Sequence, residues 1–363
     1  MKIKKLLITI LSDILIAATL IGGYSYYVLL SPKKAAPITL IPTETYEFGL
    51  PENTLPIITD SPEPAPTSVT KDNFTATALS ELGYSVLSDK RYEKSPFYRK
   101  VTQLADDTGE GARFIINKVE IPGDNDSIIT YYTVDLFVNR VTDIKTNVAV
   151  NEKGELSRDE VAMQADSVNA KLAISGDYFR NSNNGYIVRN GMLYRDVVSK
   201  NDYCILKTDG ELVCVDGTTF ESKKEIYTEN VWQCWAFGPT LLTANGKVIT
   251  NNNSFNINGG RYHSTDIANN GIQLKHPRSA IGYIDDGHYL LVLVDGRNEG
   301  YSSGATLAEL SQIMYDEGCR TAYNLDGGRS AVLWYNGNIV NVPYKDGREI
   351  SDILYIKEGS NNN

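Results

Sequence analysis

The sequence predicts a mixed α/β domain of the α+β type, in which a mixed sheet has flanking helices, preceded by a transmembrane segment and a proline-rich linker. Two segments combine the residue spacing of a helix start with a buried strand that follows the helix. Three apolar runs end in short turns that carry Asp177, Asp295 and Asp326. A long apolar run near the N-terminus predicts the membrane segment.

The apolar run Leu6–Leu30 is long enough to cross a bilayer. As a helix it spans about 37 Å, and three lysines before it outweigh two after it, which orients the N-terminus inside. A cleaved signal peptide is the alternative, but no clear cleavage site follows the run. Asp13 weakens both interpretations, because a carboxyl in hydrocarbon is unfavourable. We expect residues 1–30 to be a signal-anchor that places a single-pass protein in the cell membrane, with the C-terminal domain extracytoplasmic.

Residues 31–70 are expected to be a linker, because eight of the 13 prolines lie between Pro32 and Pro66. Such a composition does not bury enough apolar surface to offset its ordering entropy. The remaining chain is divided into an N-terminal subregion, residues 71–127, and a main domain, residues 128–358.

Charge and cysteine content exclude some classes of function. The net charge is −10 and no basic stripe with interleaved aromatic residues is present, so nucleic acid is not an expected partner. Cys204, Cys214, Cys234 and Cys319 permit two disulfides in three connectivities, and their spacing does not suit a zinc site. Cys204 and Cys214 flank a hairpin-like segment, and a two-residue turn would leave them out of direct register.

The first part of the main domain contains a strand and a helix–strand unit. A helix at Ala76–Leu87 and a strand at Ala112–Val119 come before it, and Ile128–Val138 is rich in β-branched and aromatic residues, which predicts a strand. Ser157 and Glu160 have capping-box spacing and predict a helix to about residue 169. A strand at residues 171–174 then leads to Asp177.

A second helix–strand unit follows. Ala280–Ile284 and Tyr289–Val294 read as strands of a hairpin with its turn at Asp286-Gly287. Thr306 and Glu309 form another capping box, and the strand Thr321–Leu325 follows the helix.

These units predict a place where polar side chains meet. If the strands ending at Val294 and Leu325 run parallel, their carboxyl ends lie at the same side of the sheet. Asp295, Arg297, Asn324 and Asp326 would then converge, and Asp177 would join them if its strand belongs to the same sheet. Carboxylates beside arginine suit either acid–base or nucleophilic work at a glycosidic centre, or cation binding. The alternative is a set of ordinary turn residues and surface ion pairs.

Six motifs resemble the phosphodiester glycosidase family, which includes the enzyme that uncovers mannose 6-phosphate. They are ISGDYF (174–179), FGPTLL (237–242), HPRSAIGY (276–283), LVDGR (293–297), SGATLAEL (303–310) and YNLDGG (323–328). The resemblance covers about Ala149–Ile356. It implies that residues 128–358 are a catalytic domain that hydrolyses a sugar 1-phosphodiester in an exported setting. Bacterial members are often described as exopolysaccharide or cell-wall proteins.

The resemblance also implies site residues. The catalytic candidates are Asp177, Asp295 and Asp326. The candidates for binding the carbohydrate phosphodiester are Gly176, Arg278, Arg297, Asn324, Gly327, Gly328, Arg329 and Ser330. The chain departs from the family pattern at Ser175 and Asp177, where Asn and Gly are usual, and at Arg329, where a third Gly is common. A side chain at a glycine position requires another backbone angle or projects into the pocket, so Arg329 would either narrow the choice of substrate or abolish turnover.

The mechanistic hypothesis follows from charge. Arg278 and Arg297 would bind the phosphate oxygens, because a planar guanidinium matches their geometry. Asp295 or Asp326 would act as nucleophile or base, or hold a divalent cation, and the sequence assigns neither a metal nor a cofactor. The glycines would form a nest of N–H groups for the phosphate. A non-catalytic glycan-binding module and an assembly partner of a polysaccharide complex are the alternative functions.

Overall fold

The computed structural model describes residues 38–39, 85–86, 98–124, 127–181, 184–219, 230–250, 255–257, 260–261 and 274–359. The chain divides into two compact units, Met1–Ile38 and Thr39–Asn363. The predicted membrane segment lies outside the described residues, as does the predicted linker apart from residues 38–39. No helix within the described ranges is long and apolar enough to cross a membrane.

The described residues form many strands and two α-helices. The strands are β1 (Ile38–Thr39), β2 (Ser85–Val86), β3 (Tyr98–Gly109), β4 (Ala112–Pro122), β5 (Ile128–Val138), β6 (Lys145–Val148), β7 (Ala170–Ser175), β8 (Ile187–Arg189), β9 (Met192–Arg195), β10 (Tyr203–Lys207), β11 (Leu212–Val215), β12 (Val231–Trp235), β13 (Asn256–Ile257), β14 (Gly260–Arg261), β15 (Arg278–Asp285), β16 (His288–Val294), β17 (Thr321–Leu325), β18 (Leu333–Tyr335), β19 (Asn338–Ile339) and β20 (Asp352–Lys357). The helices are α1 (Val161–Ser167) and α2 (Leu307–Asp316). The fold is therefore mixed but sheet-rich, with fewer helices than an α/β expectation suggests.

A seven-stranded sheet forms the centre of the fold, in the order β17-β15-β16-β5-β4-β3-β2. Strand β16 is apolar on both faces because a hydrophobic cluster lies on each side of the sheet. Leu291 and Leu293 face the cluster that contains Tyr323. Leu290 and Val292 face the cluster that contains the apolar side of α2. The predicted boundary between residues 127 and 128 falls in the loop between β4 and β5, two neighbours in this sheet, and the proposed division of the chain stays a prediction.

Strands β16 and β17 run parallel, as predicted, but they are not neighbours. Strand β15 lies between them and is antiparallel to both. The carboxyl ends of β16 and β17 therefore lie at the same edge, which brings the segments after Val294 and Leu325 to one side of the sheet.

Three further sheets complete the described fold, one of which is the two-stranded pair β13-β14. Another has the order β19-β18-β7-β20-β6, and α1 packs on it. In the third, β9, β8, β12, β10 and β11 lie side by side. Strand β7 thus belongs to a different sheet from β16 and β17. Asp177 therefore does not reach the site from the sheet of β16 and β17, as the prediction from sequence required.

The two predicted capping boxes have different outcomes. At α2, Thr306 accepts from the Glu309 amide at 3.1 Å and Glu309 accepts from the Thr306 amide at 2.8 Å, which confirms the prediction. At α1, the box at Ser157 is wrong, because the helix begins at Val161 and its N-cap Glu160 makes no side-chain capping bond. The Ser157 amide instead donates to the Ala149 carbonyl. This segment therefore pairs as extended chain and does not start the helix.

Other predicted elements are also tested. Strand β5 has the predicted bounds, the hairpin β15–β16 turns at Asp286-Gly287, and β4 extends beyond the predicted Val119 to Pro122. In the predicted helix Ala76–Leu87, the two described residues Ser85 and Val86 form strand instead. Cys204 and Cys214 stand directly opposite each other, because the β10–β11 turn is longer than two residues. Both are free thiols.

Candidate functional site

The loop that follows β17 requires glycine at two positions. A Cβ atom at Gly327 would lie 2.7 Å from the Pro277 carbonyl oxygen. Gly328 has a φ of +63°, which favours glycine, and its amide donates to the same carbonyl oxygen at 2.8 Å. The loop is thereby fastened to the segment before β15. Because the Gly328 amide is engaged in this bond, it does not contribute to the nest that the sequence suggested.

Asp326 precedes this loop and is a buried carboxylate beside a guanidinium. Both of its carboxylate oxygens accept from Nη2 of Arg348, at 3.2 and 3.3 Å. Its amide donates to the Gly176 carbonyl at 2.9 Å, so the segment after β7 holds its backbone. Burial raises the pKa of Asp326 to about 6, although the charge of Arg348 and a hydrogen bond with Ser330 oppose the rise.

Arg348 was not identified from the sequence as a site residue. Its Nε donates to the Ser330 hydroxyl at 2.7 Å, and its guanidinium lies 4.9 Å from the centre of the Tyr178 ring. The residue ends a second Asp-Gly-Arg triplet, Asp346–Arg348, which repeats the triplet at Asp295–Arg297. That repetition was the signal available in the sequence.

Arg297 is exposed and faces the glycine loop. A Cβ atom at Gly328 would lie 3.9 Å from both terminal nitrogens of Arg297. Nε of Arg297 donates to Nδ1 of His276 at 3.1 Å, and its guanidinium lies 5.1 Å from the Tyr344 ring centre. Burial and the charges of Arg297 and Arg278 lower the pKa of His276 to about 4, so this ring is neutral and able to accept.

Arg278 lies beside Arg297 but is more deeply placed. Its Nε donates to the Ala305 carbonyl at 2.9 Å and its Nη2 to the Leu274 carbonyl at 3.1 Å. Burial and the charge of Arg297 lower the pKa of Arg278 to about 10. The two arginines therefore create a positive field at this edge, and the fork of Arg297 points toward the loop.

Asp295 is buried, and protein groups occupy both of its carboxylate oxygens. Oδ1 accepts from Asn341 at 2.8 Å, and Oδ2 accepts from the Tyr301 hydroxyl and the Val342 amide, each at 3.0 Å. Burial raises the pKa of Asp295, and these hydrogen bonds oppose the rise. This arrangement ties the segment after β16 to the segment that follows β19.

Asp177 lies in a buried ionic cluster behind the site. Its Oδ2 accepts from Nη2 of Arg189 at 3.2 Å and from the Ala236 amide at 3.1 Å. Its amide donates to Asp352 at 2.6 Å. Gly176 is required there, since a Cβ atom would lie 2.4 Å from Oδ1 of Asp352.

The remaining candidate residues are held by nearby protein groups. Nδ2 of Asn324 donates to the Gly238 carbonyl at 2.8 Å, and its buried Oδ1 has no partner among the described residues. Ser330 is buried and bonds to Arg348. Arg329 has no positive φ, and its guanidinium donates to the carbonyls of Lys345 and Gly347. The backbone therefore accepts a side chain in place of the third glycine without a left-handed conformation.

The structure thus brings two groups of predicted residues to one loop. Asp326 and Ser330 meet Arg348, whereas Arg278 and Arg297 meet His276. Asp295 and Asp177 lie beside these groups and have protein partners of their own. No three His, Cys, Asp or Glu side chains in the described part of the chain lie close enough to hold a metal ion. The catalytic and binding roles stay predictions.

Comparison with known proteins agrees with the motif resemblance. The family model described as phosphodiester glycosidase matches residues 168–357. The SPbeta prophage-derived uncharacterized protein YomE of Bacillus subtilis is 24% identical over 333 residues, which is 88% of this chain and 45% of that protein. The human N-acetylglucosamine-1-phosphodiester alpha-N-acetylglucosaminidase is 26% identical over 214 residues, 55% of this chain and 39% of that protein. The chain spans less than half the length of these curated relatives.

A solved structure shows the same fold. The catalytic domain of the zebrafish N-acetylglucosamine-1-phosphodiester alpha-N-acetylglucosaminidase, auto-inhibited by its pro-peptide, aligns with a TM-score of 0.55 at 20% identity. The alignment covers 72% of this chain and 88% of that domain. The matched family model spans more than half of the 363 residues. The chain belongs to the phosphodiester glycosidase family.

Proposed function

We propose that the chain hydrolyses a sugar 1-phosphodiester, such as an N-acetylglucosamine-1-phosphodiester, in glycans or cell-envelope polymers. The observation that carries the proposal is the loop Gly327–Ser330, which has a buried carboxylate on one side and an exposed guanidinium on the other. Asp326 immediately precedes the loop, and the terminal nitrogens of Arg297 face Gly328. A sugar 1-phosphodiester has an electrophilic anomeric carbon directly beside an anionic phosphate. The carboxylate of Asp326 suits the anomeric carbon, and the guanidinium of Arg297 suits the phosphate.

Arg297 is the residue that binds the phosphate in this proposal. Cleavage of the bond between the anomeric carbon and oxygen turns a phosphodiester with one negative charge into a phosphomonoester with up to two. A guanidinium at the leaving phosphate therefore interacts more strongly with the transition state than with the substrate. The neutral His276 ring accepts from Nε of Arg297. The two terminal nitrogens of Arg297 are then left to bind the phosphate oxygens. Arg278 adds positive charge.

Asp326 supplies the reacting carboxylate, as base for a water molecule or as nucleophile at the anomeric carbon. Unlike the other two candidate aspartates, Asp326 has oxygens that are bound only by side-chain groups, those of Arg348 and Ser330. Asp295 and Asp177 accept from backbone amides as well as side chains, which favours holding the backbone over reacting. The ionised form of Asp326 is required, so activity is expected to fall as the pH drops below about 6.

The test is sugar release by the purified full chain from UDP-N-acetylglucosamine and from an N-acetylglucosamine-phosphodiester, with and without EDTA. Asp326→Asn is expected to lower kcat by about 100-fold or more, since a positioned acid–base group contributes about that much. The melting temperature at pH 7 should change little. Loss of activity with EDTA would assign a cation to the site.

The matched control is Asp316→Asn, which changes a buried aspartate at the end of α2 and should keep full turnover. Full turnover by Asp326→Asn would overturn the assignment. If the wild type binds the sugar phosphodiester without cleaving it, the protein is a glycan-binding module. If it does neither, the polysaccharide-assembly alternative is favoured.

We further propose that the protein is a single-pass cell-membrane protein with this domain extracytoplasmic. The support is the composition of residues 1–70, namely the apolar run, its lysine distribution and the prolines that follow it. Membrane fractionation and protease treatment of intact cells test this placement. A soluble cytoplasmic protein would contradict it.

A further inference from the structure

Arg189 is a fully buried arginine that holds two carboxylates. Its Nε donates to Oδ2 of Asp352 at 2.5 Å and its Nη2 donates to Oδ2 of Asp177 at 3.2 Å. Its Nη1 donates to the Val188 and Cys234 carbonyls. The guanidinium also lies 5.5 Å from the ring centres of both Phe179 and Trp235. The cluster of Asp177, Arg189 and Asp352 is called here the buried triad. Almost all of its charged side-chain atoms have hydrogen-bond partners.

Stability alone is a weak reason for such an arrangement. The desolvation of buried charges often exceeds their mutual attraction, and apolar residues of similar volume are commonly no worse. Two carboxylates also share one guanidinium, so the ion pairs of the triad are not matched one to one. Burial raises the pKa of Asp352 to about 6, with the Arg189 charge opposing the rise. The triad is better explained by what it holds in place.

The triad holds the segment Gly176–Tyr178, which in turn contacts Asp326 and Arg348. The Gly176 amide donates to the Asp352 carbonyl at 3.0 Å, and the Gly176 carbonyl accepts from the Asp326 amide at 2.9 Å. The Tyr178 ring lies against the guanidinium of Arg348, which binds the Asp326 carboxylate. A continuous set of bonds therefore runs from β8 and β20 to the proposed reacting carboxylate.

We propose that Arg189 and Asp352 are positioning residues for the hydrolysis, acting through Asp177 and the Gly176–Tyr178 segment on Asp326 and Arg348; this inference rests on the proposed function. None of the triad side chains touches the reacting atoms in this proposal. Asp177, a catalytic candidate from its sequence motif, acts instead as the link between the triad and the site.

The charge of the triad also reaches Asp326. Burial is the largest cause of the raised pKa of Asp326, and the Asp177 carboxylate adds to it. The charged and titratable groups around this pair are Arg189, Arg195, Asp352, Arg348, Cys234 and Tyr323. Removal of the Asp177 charge should therefore lower the pKa of Asp326, a change that a merely structural role would not produce.

The experiment measures kcat, KM and the pH dependence of kcat/KM for the full chain and two variants. Asp177→Asn should lower kcat by about 10- to 100-fold, as expected for a small displacement of reacting groups, with a smaller change in KM. It should also move the acidic limb of kcat/KM to lower pH, because the Asp177 charge contributes to the raised pKa of Asp326. Arg189→Lys keeps the charge but loses the fork, so kcat should fall while the acidic limb stays near its wild-type position.

The matched control is Glu317→Gln. Glu317 is a half-buried carboxylate that accepts from Arg99 at 3.3 Å and from Tyr131 at 2.7 Å, at the end of α2. This variant should lose a comparable amount of thermal stability but retain kcat and the acidic limb. If Asp177→Asn fails to fold, Arg189→Lys decides the outcome. Wild-type kcat in the folded variants, or an equal loss in Glu317→Gln, would overturn the inference.

A second measurement separates this inference from the proposed function. If the wild type cleaves neither test substrate, the proposed reaction fails, but Asp326 can still be titrated through its ¹³C carboxyl signal, assigned with Asp326→Asn. A lower Asp326 pKa in Asp177→Asn supports the link between the triad and the site. An unchanged titration overturns it.

Discussion

At the carboxylate of Asp326, burial and a neighbouring guanidinium act in opposite directions. Removal from water favours the protonated form, and Arg348 favours the ionised form, so the pKa settles at about 6. A group with this pKa changes charge close to neutral pH and is suited to proton transfer. Asp295 follows a strand in the same way but receives bonds from Asn341, Tyr301 and an amide. Asp326 and Asp295 therefore differ in their hydrogen-bond partners, although both follow a strand.

Arg297→Lys tests phosphate binding at the residue scale. The substitution keeps the charge but removes the planar fork, so two bonds to the phosphate become one. A charge-assisted hydrogen bond contributes about 1.5–3 kcal/mol. Because this bond is stronger in the transition state, kcat/KM should fall by about 10- to 100-fold, with a decrease in kcat as well as a rise in KM. Steady-state kinetics with the N-acetylglucosamine-phosphodiester measure the change.

Arg320→Lys is the control for this substitution. Arg320 is 65% exposed in an ion pair with Asp285, and such surface pairs contribute little. Its kinetic constants should match those of the wild type. An unchanged kcat/KM in Arg297→Lys would mean that another group binds the phosphate.

At the element scale, the turn between β10 and β11 sets the relation between two cysteines. The Lys207 amide donates to the Glu211 carbonyl, so that pair is hydrogen-bonded. Hydrogen-bonded and non-hydrogen-bonded pairs alternate along an antiparallel ladder, which makes Cys204 and Cys214 a non-hydrogen-bonded pair. Their Cα atoms are then expected to be about 4.5 Å apart, within the range that a disulfide requires.

Cys204 and Cys214 are therefore expected to form a disulfide when the full chain is treated with glutathione disulfide. The half-buried Cys214 would first form a mixed disulfide, releasing one glutathione, and Cys204 would then displace the second. Burial raises the pKa of Cys204, so this second step should be slow. Mass spectrometry of a non-reduced digest measures the product.

Two variants control this prediction. Cys214→Ser should abolish the crosslinked peptide, and Cys319→Ser should leave it unchanged. A lasting mixed disulfide at Cys214, or a link between Cys204 and Cys234, would contradict the predicted pairing.

At the scale of the whole molecule, the site lies where several parts of the fold meet. The loop after β17 belongs to the seven-stranded sheet, Asp177 and Asp352 belong to the sheet with β7 and β20, and Arg189 belongs to β8. Two of these groups, Asp326 and Asp352, have a pKa raised to about 6 by burial. Burial of both carboxyls makes the free energy of unfolding depend on pH.

The sign of this dependence follows from linkage. A carboxyl with a raised pKa binds its proton more tightly in the native state, so its stabilising contribution is complete below about pH 4 and is lost as the pH rises through about 6. The difference in unfolding free energy between the wild type and Asp326→Asn should therefore fall by about 2 to 3 kcal/mol from pH 4 to pH 7. Urea denaturation at both pH values measures it.

Asp209→Asn provides the comparison, because Asp209 is exposed in the β10–β11 turn. The pH dependence of the Asp326→Asn difference is read against this variant, which changes an aspartate outside the site. A difference for Asp326→Asn that grows as the pH rises would mean that the native state favours the ionised carboxylate.

Local patterns in the chain determined several elements. The capping box at Thr306 and Glu309, the turn at Asp286-Gly287 and the β-branched run at Ile128–Val138 each carry their own signal within a few residues. The same local signal failed at Ser157, because this segment pairs with Ala149 and, through Asp159, with the distant Ile350, and this pairing replaced the helix start. A capping box adds only about 1 kcal/mol, which tertiary pairing readily exceeds.

By itself, the sequence determined the family. It also determined that the segments after β16 and β17 lie at the same edge of the sheet and that they carry Arg297 and Asp326. Motifs and strand direction are local properties, so the sequence reveals them directly. The tertiary structure decided that Arg348 and not a neighbour in sequence faces Asp326, and that β7 reaches the site from a second sheet. It also decided that Arg189 and Asp352 bind Asp177. These contacts join residues far apart in the chain, and burial, which sets their pKa values, exists only once the sheets have packed.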